Sequence, residues 1–249
     1  MHKIKEVTKK LLIILFWLLL WQTVISLLNK NLLIAMPTPV TTVQSFLRLS
    51  GKREFWQAAS CSLLRVVAGF CCAVIIGTVC AVISHRFKVF SDFFSPILRL
   101  MRAVPVAAFI ILVFLWVKRD YIPQLIAFLT ALPIMWTSTE KALEGVDKWL
   151  LEMSKVMSLS RVNTFRYIIF PSVKPTYSAN LITGLGFSWK SGVAAEVICR
   201  SKASLGDMLI VSQSSIEYSE VFAITAVIII FSVVLEGLLK LLLRKEAGK

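Results

Sequence analysis

EKALEGVDKWLLEMSKVMSLSRVNTFRYIIFPSVKP, residues 140–175, is the longest polar interruption in a chain otherwise built of apolar runs. It mixes acids (Glu140, Glu144, Asp147, Glu152) with bases (Lys141, Lys148, Lys155, Arg161, Arg166, Lys174). Apolar residues recur within it at helical spacing: Leu143, Val146, Leu150, Met153, Val156 and Met157. Ser158-Leu159-Ser160 reads as a turn between that helix and a second one over 162–170. Pro171 is expected to end the second helix, because its ring removes a donor and clashes one turn back. Two short amphipathic helices between membrane spans are too polar to cross a bilayer. Their apolar faces need a membrane surface or another protein.

Composition places the rest of the chain in a membrane. Hydrophobic residues make up 57% of 249 residues, above the usual range for soluble domains. The net charge of +14 would suggest nucleic acid in a soluble protein. Here the bases flank apolar runs, so they read as topology signals and lipid-headgroup contacts. No interleaving of arginines with aromatics offers a base-stacking surface, so a nucleic-acid partner is not expected. Cys61, Cys71, Cys72, Cys80 and Cys199 have no metal-ligand spacing with His2 or His85; they read as small packing residues.

The pattern predicts an all-α integral membrane protein, a single transmembrane domain over 1–249 with about six transmembrane helices at 11–28, 61–84, 104–117, 122–136, 177–199 and 221–243. A cleaved signal peptide competes for the first run, but Trp17 and Trp21 are bulky and no small-residue site follows. The runs 104–117 and 122–136 are short: two spans lengthened by their flanks, or a hairpin that dips and returns. Residues 29–56 and 85–102 read as polar and basic connectors. Gly69, Ala73, Gly77 and Ala81 form one small-residue helix face, and Gly184, Ser188 and Gly192 form another, each suited to close helix packing. With six spans, the chain ends, 84–102 and 140–175 share one side. That side carries roughly twice as many Lys and Arg as the other, so it is expected to be cytoplasmic.

The 140–175 stretch resembles the signature of binding-protein-dependent ABC importer permeases: Glu-Ala-Ala, three residues, Gly, nine residues, Ile, one residue, Leu-Pro. Glu152, Ser158, Ile168 and Pro171 fall at the matching positions. Met153 and Ser154 stand for the two alanines, Ser158 for the glycine and Phe170 for the leucine. If Ser158 keeps a left-handed glycine geometry, the serine costs about 1 kcal/mol. Met36-Pro37-Thr38-Pro39, residues 56–77, Ser204-Leu205-Gly206-Asp207-Met208-Leu209 and Glu220-Val221-Phe222-Ala223 are also family-like. The resemblance is closest to the nitrate/sulfonate/taurine branch.

That resemblance implies a type I ABC importer-like fold in a bacterial cell membrane, both chain ends cytoplasmic. It implies a coupling loop in which Glu152, Met153, Ser154, Val156, Met157, Ser158, Ile168 and Pro171 meet a separate ABC ATPase subunit. ATP and Mg would bind that partner, since this chain has no G-x-x-x-x-G-K-[ST] phosphate loop and shows no catalytic or metal-binding set. An extracytoplasmic substrate-binding protein and a second permease chain, identical or related, complete the expected assembly.

Three ionisable residues within the predicted spans need separate reasons. Glu196 lies six residues beyond Lys190, about 240° round the helix and about 9 Å along it, so the two are poor partners. Arg65 and Glu196 are expected at one level and are paired as a structural bridge. Lys190 is left facing either the translocation path, where it would attract an anion, or an acceptor elsewhere in the bundle. The alternative function is a stand-alone secondary carrier or channel, which would place more charge in its spans and often shows an internal repeat; a membrane enzyme is a weaker third. A sulfonate, nitrate or a vitamin precursor all remain open as substrate.

Overall fold

The structure is a computed structural model that describes residues 2–28 and 36–247. Its elements are α1 (His2–Leu28), α2 (Pro39–Ser50), α3 (Arg53–Arg86), α4 (Lys88–Ala103), α5 (Val106–Phe114), α6 (Ile122–Glu144), α7 (Lys148–Val156), α8 (Arg161–Thr164), α9 (Phe170–Cys199), α10 (Leu205–Ser214) and α11 (Tyr218–Ala247). A 3-10 turn at Arg119–Tyr121 precedes α6, and a π-helical turn at Phe165–Ile169 precedes α9. No strand occurs among the described residues. Residues 29–35 of the predicted first connector, and Lys249 of the basic tail, lie outside the described residues.

Arg53–Arg86, Arg119–Glu144 and Tyr218–Arg244 are each long and apolar enough to cross a membrane. They contain the predicted spans 61–84, 122–136 and 221–243. The middle one runs on to Glu144, so no helix ends at Trp136. Within the predicted run 104–117, α5 covers Val106–Phe114 and joins α4 at a bend of 103°, the geometry of a broken span or of a re-entrant loop. Pro105 sits at that bend as the cap of α5, where a residue before proline is pushed out of helical geometry. The predicted first span, 11–28, falls within α1 (His2–Leu28).

α9 is long enough for the predicted span 177–199, yet it is not apolar enough to qualify on composition. Its position supplies the reason. It packs against α6, α3, α11 and α10, so glycines and serines face neighbouring helices instead of lipid.

The α3 face closes on α6, while the α9 face meets both α6 and α3, where a Cβ at Gly192 would come 2.5 Å from Val66 Cγ2. A Cβ at Gly69 would overlap the carbonyl oxygen of Gln124, and one at Gly77 would lie 2.9 Å from the Met135 Cβ. Across the helix, the Ser188 hydroxyl donates to the Ala127 carbonyl at 2.9 Å. Gly184 faces Phe70, Ala131 and Met135. α6 is therefore gripped from both sides, and its Ile126, Ala127, Ala131 and Met135 have no exposure. Pro133 is inside this helix and buried.

The two predicted connectors, and the stretch after Cys199, hold helices. α2 starts at Pro39 with a reciprocal Thr38–Thr41 capping box, which satisfies donors that a helix start otherwise leaves open. Arg48 of α2 ties to Glu220 of α11 at 3.0 Å. α4 is an amphipathic helix: Phe90 and Phe94 stack around Trp136, with centroids 5.7 and 5.5 Å away, while Trp136 donates to the Ser84 hydroxyl at 2.8 Å. α10 fills the stretch after Cys199 and adds Leu205 to the main core.

Candidate functional site

The polar loop begins later than predicted. Glu140–Glu144 is the last turn of α6, and the chain breaks at Gly145 before Asp147 caps α7 by accepting from Trp149 N–H at 2.9 Å. That break resets the helical phase and splits the predicted apolar stripe. Val146 is buried in a small core with Ile168 and Val173; Leu143 and Leu150 pack against it. Met153, Val156 and Met157 point outward, Val156 at 85% exposure and Met157 at 62%.

α7 ends in a Schellman motif. Leu159 N–H donates to the Ser154 carbonyl at 2.9 Å, and Ser158 N–H to the Lys155 carbonyl at 3.0 Å. Ser158 has φ of 53°, so the residue at the signature's glycine position adopts the left-handed geometry that favours glycine. Ser160 then caps α8 by accepting from Asn163 N–H. Ser154 and Ile168 are buried; they hold the loop to its own core and offer no outer surface. Glu152 is exposed beside Met153.

Pro171 does not end a helix. It lies in the first turn of α9, directly after the π-helical turn Phe165–Ile169, and that irregular turn accommodates the donor that the ring removes. The π-helical turn carries helical backbone from α8 directly into α9. The second half of the loop, from Arg161, and α9 are thus one continuous rod.

At the other end of that rod, Glu196 is fully buried. Its carboxylate accepts from the Ser62 hydroxyl at 2.7 Å and from Gly206 N–H at 3.3 Å. Ser62 in turn accepts from Leu205 N–H at 3.0 Å. The N-terminus of α10 is thereby aimed at a carboxylate, a favourable dipole arrangement. Gly206 is required there: a Cβ would overlap that of Glu196 and come 2.6 Å from the Val197 nitrogen. Arg65 Nη1 lies 4.0 Å from Glu196 Oε1, and its Nη2 donates to the Lys202 carbonyl at 3.0 Å. The structure thus brings Arg65 and Glu196 together, inside a larger knot joining α3, α9 and α10. Sequence reasoning missed Ser62 and Gly206; Ser62 lies one turn before Arg65 on α3, a signal that was legible.

Lys190 is exposed on α9 and makes no ion pair among the described residues. Thr176, Ala179, Thr183 and Phe187 are exposed with it at spacings of three and four, and Ile198 lies on the same side about two turns further on. They form one lengthwise stripe of mixed, partly polar character on the outside of the single chain. A second acid inside an apolar run, Glu236 of α11, was also missed; its only local signal is a lone carboxylate four residues before Lys240.

A family model described as "Binding-protein-dependent transport system inner membrane component" matches residues 73–247. The chain is similar to a putative aliphatic sulfonates transport permease protein of Bacillus subtilis, 28% identical over 201 residues, 80% of this chain and 71% of the relative. It is similar to the taurine transport system permease protein of Escherichia coli, 26% identical over 247 residues, 97% and 89% of the two chains. A nitrate import permease protein of Synechocystis is 31% identical over 140 residues, 55% of this chain and 50% of the relative.

Proposed function

Since the chain belongs to the family of binding-protein-dependent ABC importer permeases, in its nitrate, sulfonate and taurine branch, we propose that it forms the membrane path of an ATP-driven importer and draws its energy from a separate ATPase. The observation that carries this reading is the divided loop. Its inner half, Val146, Ser154, Ile168 and Val173, is fixed to the bundle, while Glu152, Met153, Val156 and Met157 stand outward with no tertiary cover. An exposed apolar helix face on a rigid base suits a groove in a protein partner.

ATP and Mg2+ act in that partner, whose closure displaces the loop. Because the second half of the loop and α9 form one rod, and the α7 half packs on that rod through Val146, Ile168 and Val173, the displacement tilts α9 and its exposed stripe. Two such stripes, one from each of two permease chains, enclose the path, and an extracytoplasmic binding protein delivers substrate to it. The loop and both chain ends are cytoplasmic, in keeping with the excess of bases on that side. Lys190 supplies the path with a positive charge for an anionic solute such as a sulfonate or nitrate.

The test is Glu152→Lys in the chain co-expressed with its ATPase and reconstituted in liposomes. The expected result is loss of the ATPase on purification, or ATP hydrolysis uncoupled from uptake, with the spans still inserted. A variant that co-purifies and transports as before removes the docking assignment. Uptake by the lone wild-type chain, indifferent to ATP, would instead establish a stand-alone carrier.

A further inference from the structure

Glu236 is half-buried in α11, eighteen residues into a helix of apolar character. Charged groups so placed need a partner or an aqueous face. Its carboxylate lies on the backbone of α9 at Gly186, where a Cβ would come 2.6 Å from Oε1. Its hydrogen bond comes from Ser232 of its own helix, at 3.3 Å. The surface beside it is open: a side chain at Gly237 would meet nothing within 4 Å.

Lys190 is one turn further along α9 from Gly186. Four residues place it about 40° round and about 6 Å above that notch, within the reach of its own four-carbon stem. Glu196 is not available to Lys190, being turned away and already held by Ser62, Gly206 and Arg65. Two opposite charges therefore sit on adjacent helices about one turn apart, one exposed and without an ion pair among the described residues, the other lying in a notch that lacks a side chain.

We infer that Glu236 is the intramembrane counter-charge of Lys190, the two pairing across the Gly186 notch when no anion occupies the α9 stripe. This deepens, and rests on, the reading of Lys190 as the cation of the path: Glu236 neutralises it at rest, and an anion takes the place of the carboxylate. Pairing leaves no net charge in the apolar layer, and it sets how readily the ammonium is released to solute.

The test is a double-mutant cycle on the full chain in lipid nanodiscs, read as thermal midpoint and folded fraction. Lys190→Met and Glu236→Gln should each lower the midpoint by roughly 5 °C, because each leaves a lone charge. The double variant should return to within about 2 °C of the wild type, and the reversed pair Lys190→Glu with Glu236→Lys should recover as well. If a single variant does not fold, recovery of folded protein in the double variant supports the pairing equally. Additive losses, or singles without effect, overturn the pairing. Lys240→Met is the control, since Lys240 is the other base within a turn of Glu236; if it rescues Glu236→Gln and Lys190→Met does not, Lys240 is the counter-charge and the inference fails. None of these readouts uses a solute, so the pairing and the anion reading of Lys190 fail separately.

Discussion

Ser62 donates its hydroxyl to the buried carboxylate of Glu196 at 2.7 Å while accepting the N–H of Leu205 at 3.0 Å. One serine thus fastens three helices, α3, α9 and α10, at a point with no solvent. The arrangement separates the roles of charge and hydrogen bonding around Glu196. Glu196→Gln keeps an acceptor for Ser62 and Gly206 but withdraws the charge opposite Arg65. Glu196→Leu withdraws both. Leucine should therefore be the more damaging, by about 3 kcal/mol relative to wild type, and glutamine should fall between. Thermal unfolding of the purified chain ranks the three; equal losses for Gln and Leu would show that only the charge matters.

Gly206→Ala places a methyl group against the Cβ of Glu196 and the backbone of Val197. Neither is the flexible end of a side chain, so α10 has to move. The expected cost is about 1–3 kcal/mol, with weakened protection of the 205–214 amides in hydrogen exchange. Wild-type protection in that segment would mean that the α9–α10 contact has slack.

Ser158→Gly should stabilise the loop by about 0.5–1 kcal/mol, because the residue already has φ of 53°. Ser158→Val should cost more than that, since a β-branched residue is poorly suited to positive φ. Slower proteolysis of the 145–169 segment in the glycine variant and faster cleavage in the valine variant is the expected order. The reverse order would discard the turn assignment.

Lys190→Met should abolish uptake of an anionic solute by the assembled transporter while Lys190→Arg preserves it. Assembly should persist in both. If Met instead lowers only the amount of folded protein and leaves solute affinity unchanged, Lys190 is structural and the anion reading is withdrawn.

What the sequence made legible follows from how local each signal is. The turn at Ser158–Ser160 was readable because its geometry is set within five residues. So was the small-residue character of Gly69 and Gly184, although the helix they grip, α6, was not identifiable from spacing alone. Pro171 was misread because proline is equally at home just after a helix and in its first turn; the difference is the backbone following it. α4 was hidden because Lys88, Asp92, Arg99 and Arg102 dilute a phenylalanine-rich face that only the Trp136 contact reveals. Glu236 escaped notice because a single acid leaves no periodic trace. The extent of α6 past Trp136 was missed since polarity rises there while the helix continues.

The continuity of α9 with the π-helical turn also sets a gear ratio. Glu196 is knotted to two other helices, so it is the natural fulcrum of the rod. Phe170 lies about 39 Å from it along the axis and Lys190 about 9 Å. A sideways push of about 4 Å at the loop, as an order-of-magnitude figure, therefore moves the Lys190 backbone by only about 1 Å. On the proposed mechanism, a large, soft displacement of the loop would arrive at the charge as a small, stiff one, about the scale on which an ion pair is made or lost.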